Sequence, residues 1–440
     1  MKSKILLFVF LLSCHFSFSA EYYVAPNGND SNNGTIKNPV ATINKAQQLA
    51  SSGDTVYIRG GVYKLKEEQI AQYHHIWAYV TKLDKDGISY LAYKNETPVF
   101  NFEKIKPENL RVIAFFISGN NITVNGIEVT GVQVTIKDHT QSECFEIQGS
   151  NNTLEQLKMH DGMAIGVYIT KGSNNLILNC DAYRNWDSVS ENGKGGNTDG
   201  FGCHAPAGNK NNIFRGCRAW FNSDDGFDLI NSAEPVLIDH CWAFYNGYTP
   251  DFKKRADGNG FKCGGYAGTP LEHLPNPIPR NTIQFCLAVG NKQAGFYSNH
   301  HLNGSNWYNN TAYHNRTNYD MLNRKAVKPV EYLEDTQGWG HVLTNNLGYG
   351  ATGAELNNIN KSACTLKNNY FDLSLTITAT DFLSLDETFL TAPRQADGSL
   401  PKTPFLRLKT SSNLIDAGRI DIGFPFKGKS PDLGCFESEQ

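Results

Sequence analysis

Four aspartates and one lysine could do chemistry together in this chain of 440 residues: Asp199, Asp224, Asp225, Asp228 and Lys262. They lie in three short strings, NTDGF, SDDGFD and GNGFKCGG, each built on a Gly-Phe pair: Gly200-Phe201, Gly226-Phe227 and Gly260-Phe261. Taken as one position in three successive turns of a repeat, the pairs put Asp199, Asp225 and Asn259 in one column. Gly202, Asp228 and Lys262 then form another. A fourth pair, Gly295-Phe296, continues the pattern, with Ala294 before it and Tyr297 after it. Stacked strands stand about 4.8 Å apart. Carboxylates at that spacing repel one another unless a cation sits among them. An all-oxygen cluster on flexible loops suits calcium, the expected cofactor, with Asp199, Asp224, Asp225 and Asp228 as ligands. No histidine or thiolate joins the cluster, which argues against zinc.

Lys262 falls one turn from Asp228, beside the expected ion. A lysine starts near a pKa of about 10.4, and a neighbouring divalent charge lowers it and frees an amine to act as a base. One cation and one amine base suit removal of the weakly acidic C5 proton of a uronic acid. The cation binds the carboxylate and stabilises the carbanion-like transition state, the lysine takes the proton, and the sugar on C4 departs. That reaction is β-elimination of an acidic polysaccharide. Lys210 and Arg255, together with Lys253 and Lys254, are the candidates to hold neighbouring uronates. Each also reads as an ordinary solvated loop charge.

The elements that position these residues are short and repeated. From Ser118 onward one grammar recurs, as in SGNNITVNGIEVTG, GSNNLILNCDAYRN, GNKNNIFRGCRAWFN and AEPVLIDHCWAFYNG: a polar turn, a short alternating strand, small or aromatic residues, and an asparagine. Ala182, Ala219, Ala243, Ala288 and Ala312 fix the register, with separations of 37, 24, 45 and 24. A unit near 23 residues is the period of a coil of β-strands, whereas a propeller wants about 40 residues and four strands per unit. Asn185, Asn222, Asn246, Asn291 and Asn315 share one slot and should hydrogen-bond up the stack. Tyr183, Trp220, Phe244 and Tyr313 read as stacking aromatics. Cys180, Cys217, Cys241 and Cys286 share another slot and read as small buried thiols; Cys144, Cys203, Cys263, Cys364 and Cys435 are left open between thiol and disulfide. The long intervals predict loops around residues 186–210 and 247–280, both on one side of the coil. Thr42 can cap a short helix with Ile43, Ala46 and Ala50 as its apolar stripe, a cover for one end. A single domain is expected over residues 21–440, with the tail after Asp381 as a terminal cover.

A net charge of −3 is close to neutral and argues neither for nucleic acid nor for a membrane surface as partner. Lys2 and Lys4 precede an apolar run from Ile5 to Leu12, with Ser17 and Ser19 behind it, so residues 1–20 read as a signal peptide. The string around Cys14 is a loose match to a lipoprotein site. No later segment is apolar enough to cross a membrane. An exported monomer, at the cell surface, in the periplasm or outside the cell, is expected.

With these motifs in place, the chain resembles the family 9 polysaccharide lyases, on NTDGF, SDDGFD and GNGFKCGG and over most of its length. The resemblance implies a right-handed parallel β-helix, all-β, and an enzyme that cleaves a pectic, galacturonate-containing plant polysaccharide. The family holds pectate lyases and rhamnogalacturonan lyases, and the chain resembles the second branch slightly more. It implies Asp199, Asp224, Asp225 and Asp228 as calcium ligands and Lys262 as base. Two other readings remain beside it. NTD and DD, with Asp199 and Asp225 26 residues apart, also resemble the polygalacturonases, which hydrolyse with three aspartates, but their GHG and RIK strings are absent here. The second alternative is a non-catalytic, calcium-stabilised β-helix that binds glycan.

Overall fold

The computed structural model describes residues 19–267, 269–327, 332–420 and 422–438. The expected leader, with Cys14, lies outside the described residues but for its last two positions. Three long sheets of twelve, ten and eleven strands run side by side up one coil, and each turn contributes one short strand to each in that order. Pairing between turns is parallel from Glu21–Val24 on Thr55–Ile58 to Val342–Thr344 on Thr365–Lys367. Two hairpins depart from this: Gln72–His74 pairs antiparallel with Trp77–Leu83, and Asn323–Val327 with Tyr332–Thr336. No described helix is long and apolar enough to cross a membrane.

Each corner has its own sequence logic. Between the twelve- and ten-stranded sheets the chain turns on one left-handed residue, such as Asn179, Asn309 and Asn345 or the glycines Gly126 and Gly216; asparagine and glycine enter that region at little cost. The next residue points inward. In four turns it is Cys180, Cys217, Cys241 or Cys286, all free and buried, and in the following turns it is Asn310, Asn346 and Asn369, whose amides bond to one another at 3.1 and 2.8 Å. The five cysteines left open are also free thiols.

The expected alanine register holds, with Ala182 on Ala219, Ala219 on Ala243, Ala243 on Ala288 and Ala288 on Ala312. Tyr183 stacks on Trp220 at 4.2 Å and Trp220 on Phe244 at 5.3 Å. Asn185, Asn222, Asn246, Asn291 and Asn315 form one ladder, each amide nitrogen donating to the next carbonyl oxygen at 2.9–3.2 Å. The Gly-Phe pairs pack against it from the eleven-stranded sheet, and Phe201, Phe227, Phe261 and Phe296 stack with ring centres 4.9–5.0 Å apart.

A short helix, α1 (Ile43–Leu49), is capped by Thr42, whose side chain accepts from Lys45 N–H; it buries Ile43 and Ala46 against the first strands, and Ala50 beyond it is buried too. The segment before Ser118, where no repeat is legible, forms the first coils: Thr55–Ile58, Gly61–Lys64 and Trp77–Leu83, then Ser89–Ala92, Pro98–Asn101 and Arg111–Ile117. The second long insertion departs from expectation. It divides between two corners, residues 245–260 before the strand at Phe261 and residues 263–281 after it. The tail after Asp381 turns back along the ten-stranded sheet, where Arg394 joins the buried pair of Arg218 and Asp181 and donates to Asp181 at 2.6 Å. Because Asn246 satisfies the ladder on both sides and the Ala219 carbonyl, Asn246→Ala strands several buried polar groups. It should lower stability by about 3 kcal/mol, read as a lower thermal midpoint.

Candidate active site

The eleven-stranded sheet brings the predicted cluster together. Phe201 pairs with Phe227 and Phe227 with Phe261, so Gly202 lies beside Asp228 and Asp228 beside Lys262. The glycines of the pairs are required by close approach. A Cβ on Gly226 would stand 2.6 Å from the Gly260 carbonyl oxygen and 2.9 Å from the Asn246 amide nitrogen. Each of these glycines forms the bend that leads into its strand, and the residue before it, Asp199, Asp225 or Asn259, is buried.

Backbone N–H groups hold one oxygen of each acid. Asp225 N–H donates to Asp199 Oδ1 at 3.0 Å, Asn259 N–H to Asp225 Oδ1 at 2.6 Å, and Asp257 N–H to Asp224 Oδ1 at 3.0 Å. Asn259 continues the column, taking Ala294 N–H on its own Oδ1 at 3.1 Å. Oxygens of Asp199, Asp224 and Asp225 lie within 4.8 Å of one another. Asp228 stands outside that trio and receives Lys262 Nζ at 3.0 Å. Lys262 Nζ is also 3.1 Å from Asp225 Oδ2, but off the hydrogen-bond direction, so this buried oxygen has no hydrogen-bond partner.

Burial first, then repulsion within the group, raises Asp199 and Asp224 well above the usual carboxylate range. Asp225 is raised by burial and by Asp228 and Asp257, with Lys262 opposing. Burial draws the Lys262 amine down, but Asp228, Asp225, Asp224 and Asp199 outweigh it, and its pKa stands well above the ordinary lysine value. One ammonium thus serves four carboxylates. Three clustered carboxylates and an orphaned buried oxygen, with no nitrogen or sulfur donor, form a donor set that fits a hard divalent ion such as calcium.

Arg255 lies on a cavity of about 560 Å³ beside Asp224, together with Lys194, Lys254 and Lys292. Its guanidinium rests 4.0 Å over the Trp186 ring. Lys210 is elsewhere: exposed, in the turn before Ile213–Arg215, with its N–H on Ser173 Oγ. Lys292, whose Nζ donates to the Ala256 and Asp257 carbonyls, escaped the sequence reading. Its signal was its place directly after the ladder residue Asn291. Asp199→Asn keeps the acceptor for Asp225 N–H and removes one charge. In chelator it should raise the melting temperature, and the rise that calcium gives the wild type should shrink or vanish, as read by thermal denaturation with and without the ion.

A family model described as Pel9A-like, right-handed β-helix region, matches residues 22–346. Pectate lyase L of Dickeya chrysanthemi is 35% identical over 424 residues, covering 94% of this chain and 90% of that protein. Pectate lyase PEL9 of Emericella nidulans is 27% identical over 88% of this chain and 92% of its own. Among solved structures, a rhamnogalacturonan lyase superposes with a TM-score of 0.85 at 42% identity, covering 89% of this chain and 97% of that one. The pectate lyase Pel9A superposes at 0.76 with 32% identity, covering 96% and 97%. With the coil, the aligned Gly-Phe rows and these relatives together, the chain belongs to the Pel9A-like right-handed β-helix family, family 9 of the polysaccharide lyases.

Proposed function

We propose that this protein is a calcium-dependent lyase that cleaves a galacturonate-containing pectic backbone by β-elimination, with rhamnogalacturonan preferred to polygalacturonan. The observation that carries the reading is the placement of Lys262 Nζ 3.0 Å from Asp228 and 3.1 Å from Asp225, at the edge of the three-aspartate cluster. The preference leans on the solved rhamnogalacturonan lyase, nearer in both identity and superposition than the pectate lyase structure.

Asp199, Asp224 and Asp225 would hold calcium, with Asp228 beside it. Calcium there would supply charge that offsets the carboxylates holding Lys262 protonated, and a contact for the uronate carboxylate that makes the C5 proton more acidic. Lys262 then removes that proton, and Asp228 keeps the amine aimed at it. Arg255, its plane fixed against Trp186, presents a fork suited to a neighbouring uronate carboxylate, and Lys254 and Lys292 add positive charge to the same cavity. Export follows from the pattern of residues 1–20, and a monomer suffices, since the proposed base and ligands come from one chain.

Lys262→Ala in the presence of calcium should lose about 10³-fold in turnover while remaining folded, as read by circular dichroism; full activity would eliminate the assignment. Chelation should stop the appearance of ultraviolet-absorbing unsaturated ends and added calcium restore it, with rhamnogalacturonan turned over faster than polygalacturonan. Reducing ends without that absorbance would mean hydrolysis. Arg255→Ala should raise KM and leave kcat near that of the wild type.

A further inference from the structure

The outward column that carries Asp228 and Lys262 reads, coil by coil, Glu146, Tyr168, Gly202, Asp228, Lys262 and Tyr297. Gly202 leaves a bare row between Tyr168 and Asp228. A Cβ there would stand 3.0 Å from Tyr168 Cδ2 and 3.4 Å from Cε2, so the phenol ring leans over the glycine. The Tyr168 hydroxyl lies 2.6 Å from His204 Nδ1, and His204 Nε2 is buried with no hydrogen-bond partner. Burial outweighs the pull of Asp228 and lowers the imidazole to about 4, so the ring is neutral. A neutral ring has one N–H. A buried N–H without an acceptor is a rarer orphan than an under-used acceptor. The proton therefore belongs on Nδ1, donating to the Tyr168 oxygen, and the phenol's own proton is left free.

We propose that Tyr168 is the acid that protonates the departing C4 oxygen, with His204 as the residue that positions it; the proposal rests on the lyase reading above. In a galacturonate the C5 hydrogen and the C4 oxygen are axial on opposite faces of the ring, so base and acid must stand on opposite sides of the sugar. Tyr297 is paired directly with Lys262 and shares the base's side. Tyr168 stands three rows from Lys262 in the same column, with Gly202 and Asp228 between them, so a sugar lying over those two rows has the amine at one side and the phenol at the other. Lys262 takes the C5 proton, the C–H electron pair closes the C4=C5 double bond, and the C4–O bond breaks with its pair passing to the leaving oxygen. Tyr168 gives that oxygen its proton, and solvent then reprotonates the phenolate and takes the proton from Lys262. Burial, reinforced by Glu143 and Asp228, pushes the phenol upward from its ordinary value and keeps it protonated at working pH.

The test uses the full chain with calcium and rhamnogalacturonan oligosaccharides in deuterated water, following unsaturated product by absorbance and C5 deuterium in recovered substrate by mass spectrometry. Tyr168→Phe should lower kcat by about 10²- to 10³-fold with KM little changed and its melting temperature kept, and should put deuterium on C5 faster than it cleaves. His204→Ala should lower kcat in the same direction, and His204→Asn, which sets an amide N–H near the place of Nδ1–H, should recover part of it. Wild-type kcat in Tyr168→Phe overturns the assignment, as does joint loss of exchange and cleavage in a folded variant, or the exchange signature in Tyr297→Phe instead. If the wild type itself yields no unsaturated product, the lyase reading falls and the assignment with it; product from the wild type beside an unimpaired Tyr168→Phe overturns the assignment alone.

Discussion

Parallel pairing at one strand spacing gives like charges nowhere to go. Three carboxylates with oxygens within 4.8 Å of one another repel by about 3.5 kcal/mol per ionised pair at an effective dielectric constant near 20. The coil cannot relax this by splaying, because each row is fixed above and below by the ladder. It answers with directed dipoles: an N–H from a later row takes one oxygen of Asp199, Asp224 and Asp225. That fixes the geometry of a cluster in which one oxygen of each acid lies within 4.8 Å of the others. The site is rigid because of how the acids are anchored, and electrostatically unfinished because so little of their charge is answered. Both properties follow from the same register.

Behind the acids, the glycine column and the asparagine ladder are one device. Each ladder amide lies where a Cβ on the neighbouring glycine would be, at 2.8 Å for Asn291 against Gly260 and 2.9 Å for Asn246 against Gly226. Asp-Gly usually marks a turn. Here it marks the bend that leads into a strand, and its glycine makes room for an amide inside the coil.

What could be read from the sequence is what packing repeats. Gly-Phe, the ladder asparagines, the small alanines and the inward cysteines recur because every turn of the coil offers the same slots, so their spacing gave the register and, through it, the neighbours of Asp225 and Lys262. The coils before Ser118 hold the same three strands, but with Val56, Tyr63 and Phe115 in place of repeated small residues, and nothing recurs to be counted. Tyr168 was missed although Val167 pairs with Phe201; extending the Gly-Phe register back by one turn, to Gly166-Val167, would have found it. Trp186 and Lys292 were missed for another reason. Trp186 meets Arg255 through contact between the 186–200 and 245–260 segments, which no spacing encodes. Lys292 has a fixed slot after Asn291, but its reach to the Ala256 and Asp257 carbonyls depends on how the 245–260 segment folds. The division of the second insertion between two corners was hidden likewise, because an interval between alanines counts residues without saying where along the turn they leave the sheet.

The C-terminal strap has a consequence for assembly. Asp181 sits midway up the coil, on the fifth strand of the ten-stranded sheet, is buried with Arg218, and receives Arg394 across more than two hundred residues of chain; burial alone would raise its carboxyl, and the two guanidiniums hold it below the usual range. Arg394 can reach that acid only after every intervening turn has stacked, because the strap retraces the finished wall. Tyr245 and His314, both bonded to Glu387, lie along the same path. Closure of the strap thus depends on the length of the coil: a molecule with a slipped or missing turn between Asp181 and the strap would bring the wrong row opposite Arg394 and leave Asp181 with Arg218 alone.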